Sequence, residues 1–212
     1  MQTHISIVGM GSISPLGHTR QEVWRSYLSE GHLLENKAVG DTLFPVGALE
    51  ADALAEIALL QQTSVKYKDL DPTVLYAMYA ARQALGEALW PTDFGVNIGS
   101  SRGATTLFEQ YHAQYLAQGK TTPLASPTTS LGNIASWVMQ DAKGHGVAIS
   151  HSITCSTALH ALVNAVAWLH ADMAKAFLIG GSEAALTPFT LAQMKALKIY
   201  GDAAAAYPSM PL

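Results

Sequence analysis

Apolar and polar positions along the chain fall into short blocks of two periods, and their order predicts the elements. Residues 4–10 (HISIVGM) form a β-type run closed by Gly11, and Pro15 and Gly17 then mark a turn. Residues 19–29 put Val23, Trp24, Tyr27 and Leu28 on one helical face, and Thr19 followed by Glu22 has the spacing of a capping box. Residues 31–49 read as loop. A helix is expected over residues 50–62. Another opens at Asp71 and Pro72, which suit an N-cap and a first turn, and runs to about Leu89, with Leu75, Met78, Tyr79 and Leu85 on its apolar face. Residues 94–98 predict a strand, 99–103 (GSSRG) a turn, 105–117 a helix, 121–130 a polar turn and 131–140 a helix. Residues 146–150 (GVAIS) and 175–180 (KAFLIG) predict two more strands, separated by a long helix over 156–169, and residues 190–198 a closing helix. Helices alternating with strands that are apolar on both faces imply a layered α/β fold with a largely buried sheet.

The helix after residue 155 carries apolar residues on every side, which predicts a position inside the protein. Its first turn differs, because Thr154, Ser156 and Thr157 are small and polar. Cys155, the single cysteine, therefore stands where a strand and turn meet the N-terminus of that helix. Free N–H groups and the helix dipole favour negative charge there, which suits a thiolate and an oxyanion formed by its attack on an acyl carbonyl. The residues alone leave two readings open: Cys155 is a nucleophile, or a small apolar core residue, the commoner fate of a lone cysteine. His160 lies on another side of the helix and is no natural base for the thiol. His151 reads as a histidine hydrogen-bonded at an interface, Glu183 as a buried structural carboxylate, and Trp168 and Leu169 as core. The GSSRG loop lacks the ending and spacing of a phosphate-binding fingerprint and reads as a structural turn.

Composition changes this picture in one respect. Of the 212 residues, 49% are hydrophobic and only 13% charged, against about 25% charged in ordinary domains. Part of the surface is thus expected to be covered by a second subunit or by more of the same protein. The net charge of -4 without a Lys/Arg cluster gives no support for nucleic-acid binding. One cysteine excludes an internal disulfide, and the eight histidines show no ligand spacing for a metal. No signal peptide and no run of eighteen apolar residues is present, so neither secretion nor a membrane span is expected, and the default location is the reducing cytoplasm. The length suits one large domain or two small ones.

Four segments resemble the β-ketoacyl-acyl-carrier-protein synthases of the thiolase-like superfamily. TCSTALHAL, from Thr154, is similar to the segment around that family's active-site cysteine. LIGGSEAALTP, from Leu178, is similar to its strand ending in Gly-Gly-x-Glu-Ala followed by Thr-Pro. ISIVGMGSISPLGHTRQEVWRSYLSEG, from Ile5, resembles its first strand, turn and helix, and SPTTSLGNIASWVMQDAKGHG the approach to the nucleophile strand. The resemblance covers nearly the whole chain and implies that residues 1–212 are the N-terminal half of a thiolase-like α/β/α fold, with a mostly buried mixed sheet and a central buried helix. It implies Cys155 as the acyl-accepting residue of a decarboxylative Claisen condensation with malonyl-acyl-carrier protein, in fatty-acid, polyketide or polyene synthesis, with no metal or redox cofactor. It further implies an acyl-carrier protein as partner and a homodimer, or a heterodimer with a related subunit. The family continues past YGDAAAAYPSMPL into a second half that supplies two catalytic histidines, and no histidine here matches their motifs. The chain is then the first half of a longer polypeptide, or a short protein that condenses only if a partner supplies them. Rival readings are a non-catalytic partner subunit of the chain-length-factor kind, a truncated interaction module, and a thiolase-like acyl-CoA transferase.

Overall fold

Helix α1 (Arg20–Tyr27) starts where its capping box predicts: Thr19 accepts from the Glu22 N–H, and Glu22 returns its carboxylate to the Thr19 N–H at 3.0 Å. The computed structural model describes residues 4–86, 91–201 and 204–209. Residues 31–49, expected as loop, contain an antiparallel hairpin of β1 (Glu35–Val39) and β2 (Thr42–Val46), turning at Gly40 with φ +57°. The ENKAV sequence of β1 is exposed over its first four residues, so no alternation marked it; only β2 buries side chains, Phe44 and Val46. Helix α2 (Ala51–Gln62) and α3 (Pro72–Leu85) follow as predicted. The expected extension of α3 to Leu89 lies outside the described residues, which show Gly86 at the C-cap with φ +56°. Next come β3 (Gly95–Gly99), α4 (Thr105–Gln118), and a short α5 (Ala125–Thr129) inside the expected polar turn. The chain continues with α6 (Asn133–Asp141), β4 (Ala148–Ile149), α7 (Thr157–His170), β5 (Phe177–Gly181) and α8 (Pro188–Ala196).

The second sheet has the order β4-β3-β5, and both pairings are parallel. Side chains alternate across β3. Val96 and Ile98 enter the main core with Val74 and Met78 of α3 and Ile134 and Val138 of α6, whereas Asn97 faces the other way and donates to the Ala161 carbonyl of α7 at 3.5 Å. The layers are therefore α3 and α6, then the sheet, then α7: the α/β/α sandwich expected.

Three details differ from expectation. The sheet is parallel rather than mixed, the antiparallel pairing being confined to the separate hairpin, and only β3 is buried along its whole length. Residues 4–10 form no strand; Gly9 and Gly11 instead lie so close on the α3 backbone at Ala84 and Ala80 that a Cβ would overlap its carbonyls, and Ile7, Val8 and Met10 are exposed. Helix α7 is not enclosed: it buries Thr157, Ala161 and Ala165 against the sheet, while Leu159 is 67% and Val163 62% exposed. Its composition reports an apolar environment on all sides, but the described residues cover only one.

The N-terminus of α3 joins the elements around the end of the sheet. Asp71, fully buried, accepts from the Thr73 N–H at 2.8 Å and from the Leu107 N–H of α4 at 3.0 Å. Thr73 donates its hydroxyl to the Gly103 carbonyl, and Ser182, just past β5, donates to the Thr73 carbonyl at 2.7 Å. One carboxylate thus satisfies orphan N–H groups on two helices. Asp71→Ala leaves both N–H groups unpaired, and it is expected to lower the unfolding free energy by about 2 kcal/mol. Urea unfolding followed by circular dichroism checks this.

Candidate functional site

The chain reaches Cys155 through a bent turn. Thr154 adopts φ +51°, a left-handed conformation uncommon for a β-branched residue. Three donors converge on its carbonyl: the Ser101 hydroxyl at 2.9 Å, the Thr157 N–H at 3.2 Å and the Thr157 hydroxyl. The Ile153 N–H in turn donates to the Thr157 hydroxyl oxygen at 3.0 Å. A trans peptide points its N–H opposite to its C=O. Holding the Thr154 carbonyl therefore turns the Cys155 N–H away from that cluster of donors, and Ile153 and Cys155 form an isolated backbone bridge across the turn. The thiol is exposed, and Ser156 is the N-cap of α7. A cysteine and the positive end of a fourteen-residue helix meet at one spot.

Two glycines set that spot against the sheet. A Cβ on Gly99, the last residue of β3, would overlap the Thr157 methyl, and one on Gly181, the last of β5, would lie 2.9 Å from the Ala158 Cβ. The α7 first turn can approach the strand ends this closely only because both strands finish without a side chain.

The other sequence candidates fall into place around the turn. The two ring nitrogens of His151 lie 3.1 Å from Asn97 Oδ1 and 3.1 Å from the Thr157 carbonyl, so this histidine ties β3 to α7 within the chain. His160 places Nδ1 3.1 Å from the Ser156 carbonyl, beside its own helix backbone. Glu183 is exposed rather than buried, but its role is structural: Oε1 accepts from the Ser100 hydroxyl at 3.2 Å and from the Ser101 N–H, pinning the GSSRG turn to the end of β5. Trp168 is half-buried, its ring edge-on to Phe177 at 5.9 Å. Sequence reasoning passed over Ser101, which holds the Thr154 carbonyl and whose own carbonyl accepts from the Ser152 hydroxyl at 3.0 Å. No spacing signal could find it, because 53 residues separate Ser101 from Thr154.

Among the described residues the fold gathers one trio of metal-type donors that sequence spacing did not reveal, His18, Glu22 and Asp52, with ligand atoms within 4.8 Å of one another. Glu22 Oε2 is already engaged there by the N–H groups of His18 at 3.1 Å and Thr19 at 3.0 Å, and the His18 N–H bond is the main cause holding this carboxyl below its usual pKa. Glu22 belongs to the capping box of α1 and Asp52 to the first turn of α2, and the trio lies outside the Cys155 turn.

Solved structures share this layered fold. The chain superposes on the ishigamide ketosynthase/chain length factor with a TM-score of 0.76 at 17% identity, covering 90% of this chain and 50% of that one. It superposes on the ketosynthase of a type II polyketide synthase, solved with its acyl-carrier protein and bound to a hexaketide, with a TM-score of 0.70 at 18% identity, covering 91% of this chain and 48% of that one. The family model of the β-ketoacyl synthase N-terminal domain matches residues 2–206, and the chain belongs to that family. It is 29% identical over 205 residues to 3-oxoacyl-[acyl-carrier-protein] synthase 2 of Vibrio cholerae, across 92% of this chain and 49% of the relative. The chain thus spans about half the length of the curated relatives it matches.

The glycine contact is directly testable. Gly99→Ala is expected to cost about 2 kcal/mol of stability by overpacking Thr157. Gly31→Ala, where an added Cβ meets nothing within 4 Å, should change stability by less than about 0.5 kcal/mol. Equal effects in thermal unfolding would contradict the close approach.

Proposed function

We propose that this chain carries the acyl-accepting half of a β-ketoacyl-acyl-carrier-protein synthase, with Cys155 as nucleophile. The observation that carries the reading is the exposed Cys155 in a turn just before the N-terminus of α7. The thiolate attacks the carbonyl of an acyl thioester, and the Cys155 N–H donates to the oxyanion that forms. The tetrahedral adduct collapses, the carrier thiolate leaves and takes up a proton, and the acyl group stays on sulfur. A malonyl thioester then loses carbon dioxide, and its carbanion attacks the acyl carbonyl and releases the Cys155 thiolate. The histidines for this second step come from the other half of the family fold. Within this chain both ring nitrogens of His151 are engaged, by Asn97 and the Thr157 carbonyl, and His160 places Nδ1 on the Ser156 carbonyl.

The donor is an acyl-carrier protein bearing a phosphopantetheine thioester, as the complex of the polyketide neighbour with its carrier supports. The assembly is a dimer, with a second copy or a related subunit. A single free thiol suits the cytoplasm, and no helix among the described residues is long and apolar enough to cross a membrane.

Incubating the intact protein with an acyl-carrier-protein thioester or an epoxide electrophile should add one acyl or alkyl group to Cys155, read by peptide mass spectrometry. Cys155→Ala should abolish the modification. A folded protein that stays unmodified would overturn the assignment and favour a non-catalytic partner subunit.

A further inference from the structure

Ser101 has every polar group committed. Its N–H donates to Glu183 Oε1, its carbonyl accepts from the Ser152 hydroxyl at 3.0 Å, and its own hydroxyl donates to the Thr154 carbonyl at 2.9 Å. The loop that carries it is fastened as well. The Ser100 N–H donates to the His151 carbonyl at 3.1 Å, the Gly103 N–H to the Ser100 hydroxyl oxygen at 2.9 Å, and the Ser100 hydroxyl to Glu183 Oε1 at 3.2 Å. A serine hydroxyl can rotate to suit many partners. This one is mounted on a fixed loop and aimed at one carbonyl.

That carbonyl belongs to a residue that needs holding. Thr154 has φ +51°, and a β-branched residue keeps such a conformation only where its surroundings enforce it. Of the three donors to its carbonyl, the N–H and the hydroxyl of Thr157 belong to the turn itself, and Ser101 reaches it from another part of the chain. A trans peptide is planar, so a carbonyl held at one end sets the direction of the N–H at the other. The Thr154 carbonyl and the Cys155 N–H are the two ends of one such plane. A donor stabilises an oxyanion only at the distance and direction the developing charge requires, and small misplacements cost rate.

We propose that Ser101 is a positioning residue for acyl transfer: through the Thr154 carbonyl it aims the Cys155 N–H, and it leaves the reactivity of the sulfur itself unchanged. The inference rests on Cys155 being the acylated residue. Two reactions of the same thiolate separate these effects. With an acyl thioester, sulfur adds to the carbonyl carbon, the π electrons move onto oxygen, and the N–H meets that charge before the carrier thiolate leaves. With iodoacetamide, the S–C bond forms as the C–I bond breaks, iodide leaves, and no oxyanion arises. A brace that acts through the amide therefore speeds the first reaction and is indifferent to the second.

The test measures both rate constants on the intact protein, from octanoyl-acyl-carrier protein and from iodoacetamide, by mass spectrometry of the Cys155 peptide. Ser101→Ala should lower the acylation rate constant about tenfold and change alkylation by less than about twofold. Ser101→Thr, which keeps the hydroxyl, should restore acylation. Circular dichroism checks the fold of each variant. Should Ser101→Ala not fold, Glu183→Ala, which releases the Ser101 N–H at an exposed carboxylate, carries the same expected split. Acylation that is unaffected, that falls in step with alkylation, or that Ser101→Thr fails to restore would overturn the positioning role and leave Cys155 as the nucleophile. Alkylation of the unsubstituted protein without any acylation would overturn the reading of Cys155 and this inference with it.

Discussion

Contact between the blunt ends of β3 and β5 and the first turn of α7 is the constraint on which the site depends. Gly99 and Gly181 leave no side chain between strand and helix, so Thr157 and Ala158 settle directly on the sheet. Because Thr157 is fixed, its hydroxyl can accept from Ile153 and donate to Thr154. Because the Thr154 carbonyl is held, the orientation of the Cys155 amide in the same peptide is fixed. A tight packing contact between small residues is thereby converted into the direction of one N–H bond.

The polar groups near this contact are used for construction. Asn97, buried in the middle of β3, and His151 join the sheet to α7, while Asp71 and Ser182 anchor the same region to α3 and α4. Buried polar groups of this kind are acceptable only when paired, and these are. Cys155 stands apart from them as an exposed group on a rigid mount.

Much of this was legible from residue order. The capping box at Thr19, the Asp-Pro start of α3 and the three apolar strands of the parallel sheet each carry a local signal that the structure honours. The hairpin did not, because β1 is a polar edge with almost no burial to impose period two. Residues 4–10 have strand composition but lie against α3, since a β-type sequence becomes a strand only where a ladder partner reaches it. The position of Cys155 at a helix head was readable from the polar first turn. The Ser101 brace was not, because it arises from residues far apart in sequence that meet only after the sheet forms.

The uncovered side of α7 has a consequence for handling the molecule. Leu159, Leu162 and Val163 meet water together with Ile7, Val8 and Met10 elsewhere on the chain, and a net charge of -4 offers little mutual repulsion. Excluded salts such as sulfate strengthen apolar association, so they will drive these molecules together through their bare faces. Dilute buffers without such salts, at a pH well above the isoelectric point near 6.0, keep them apart.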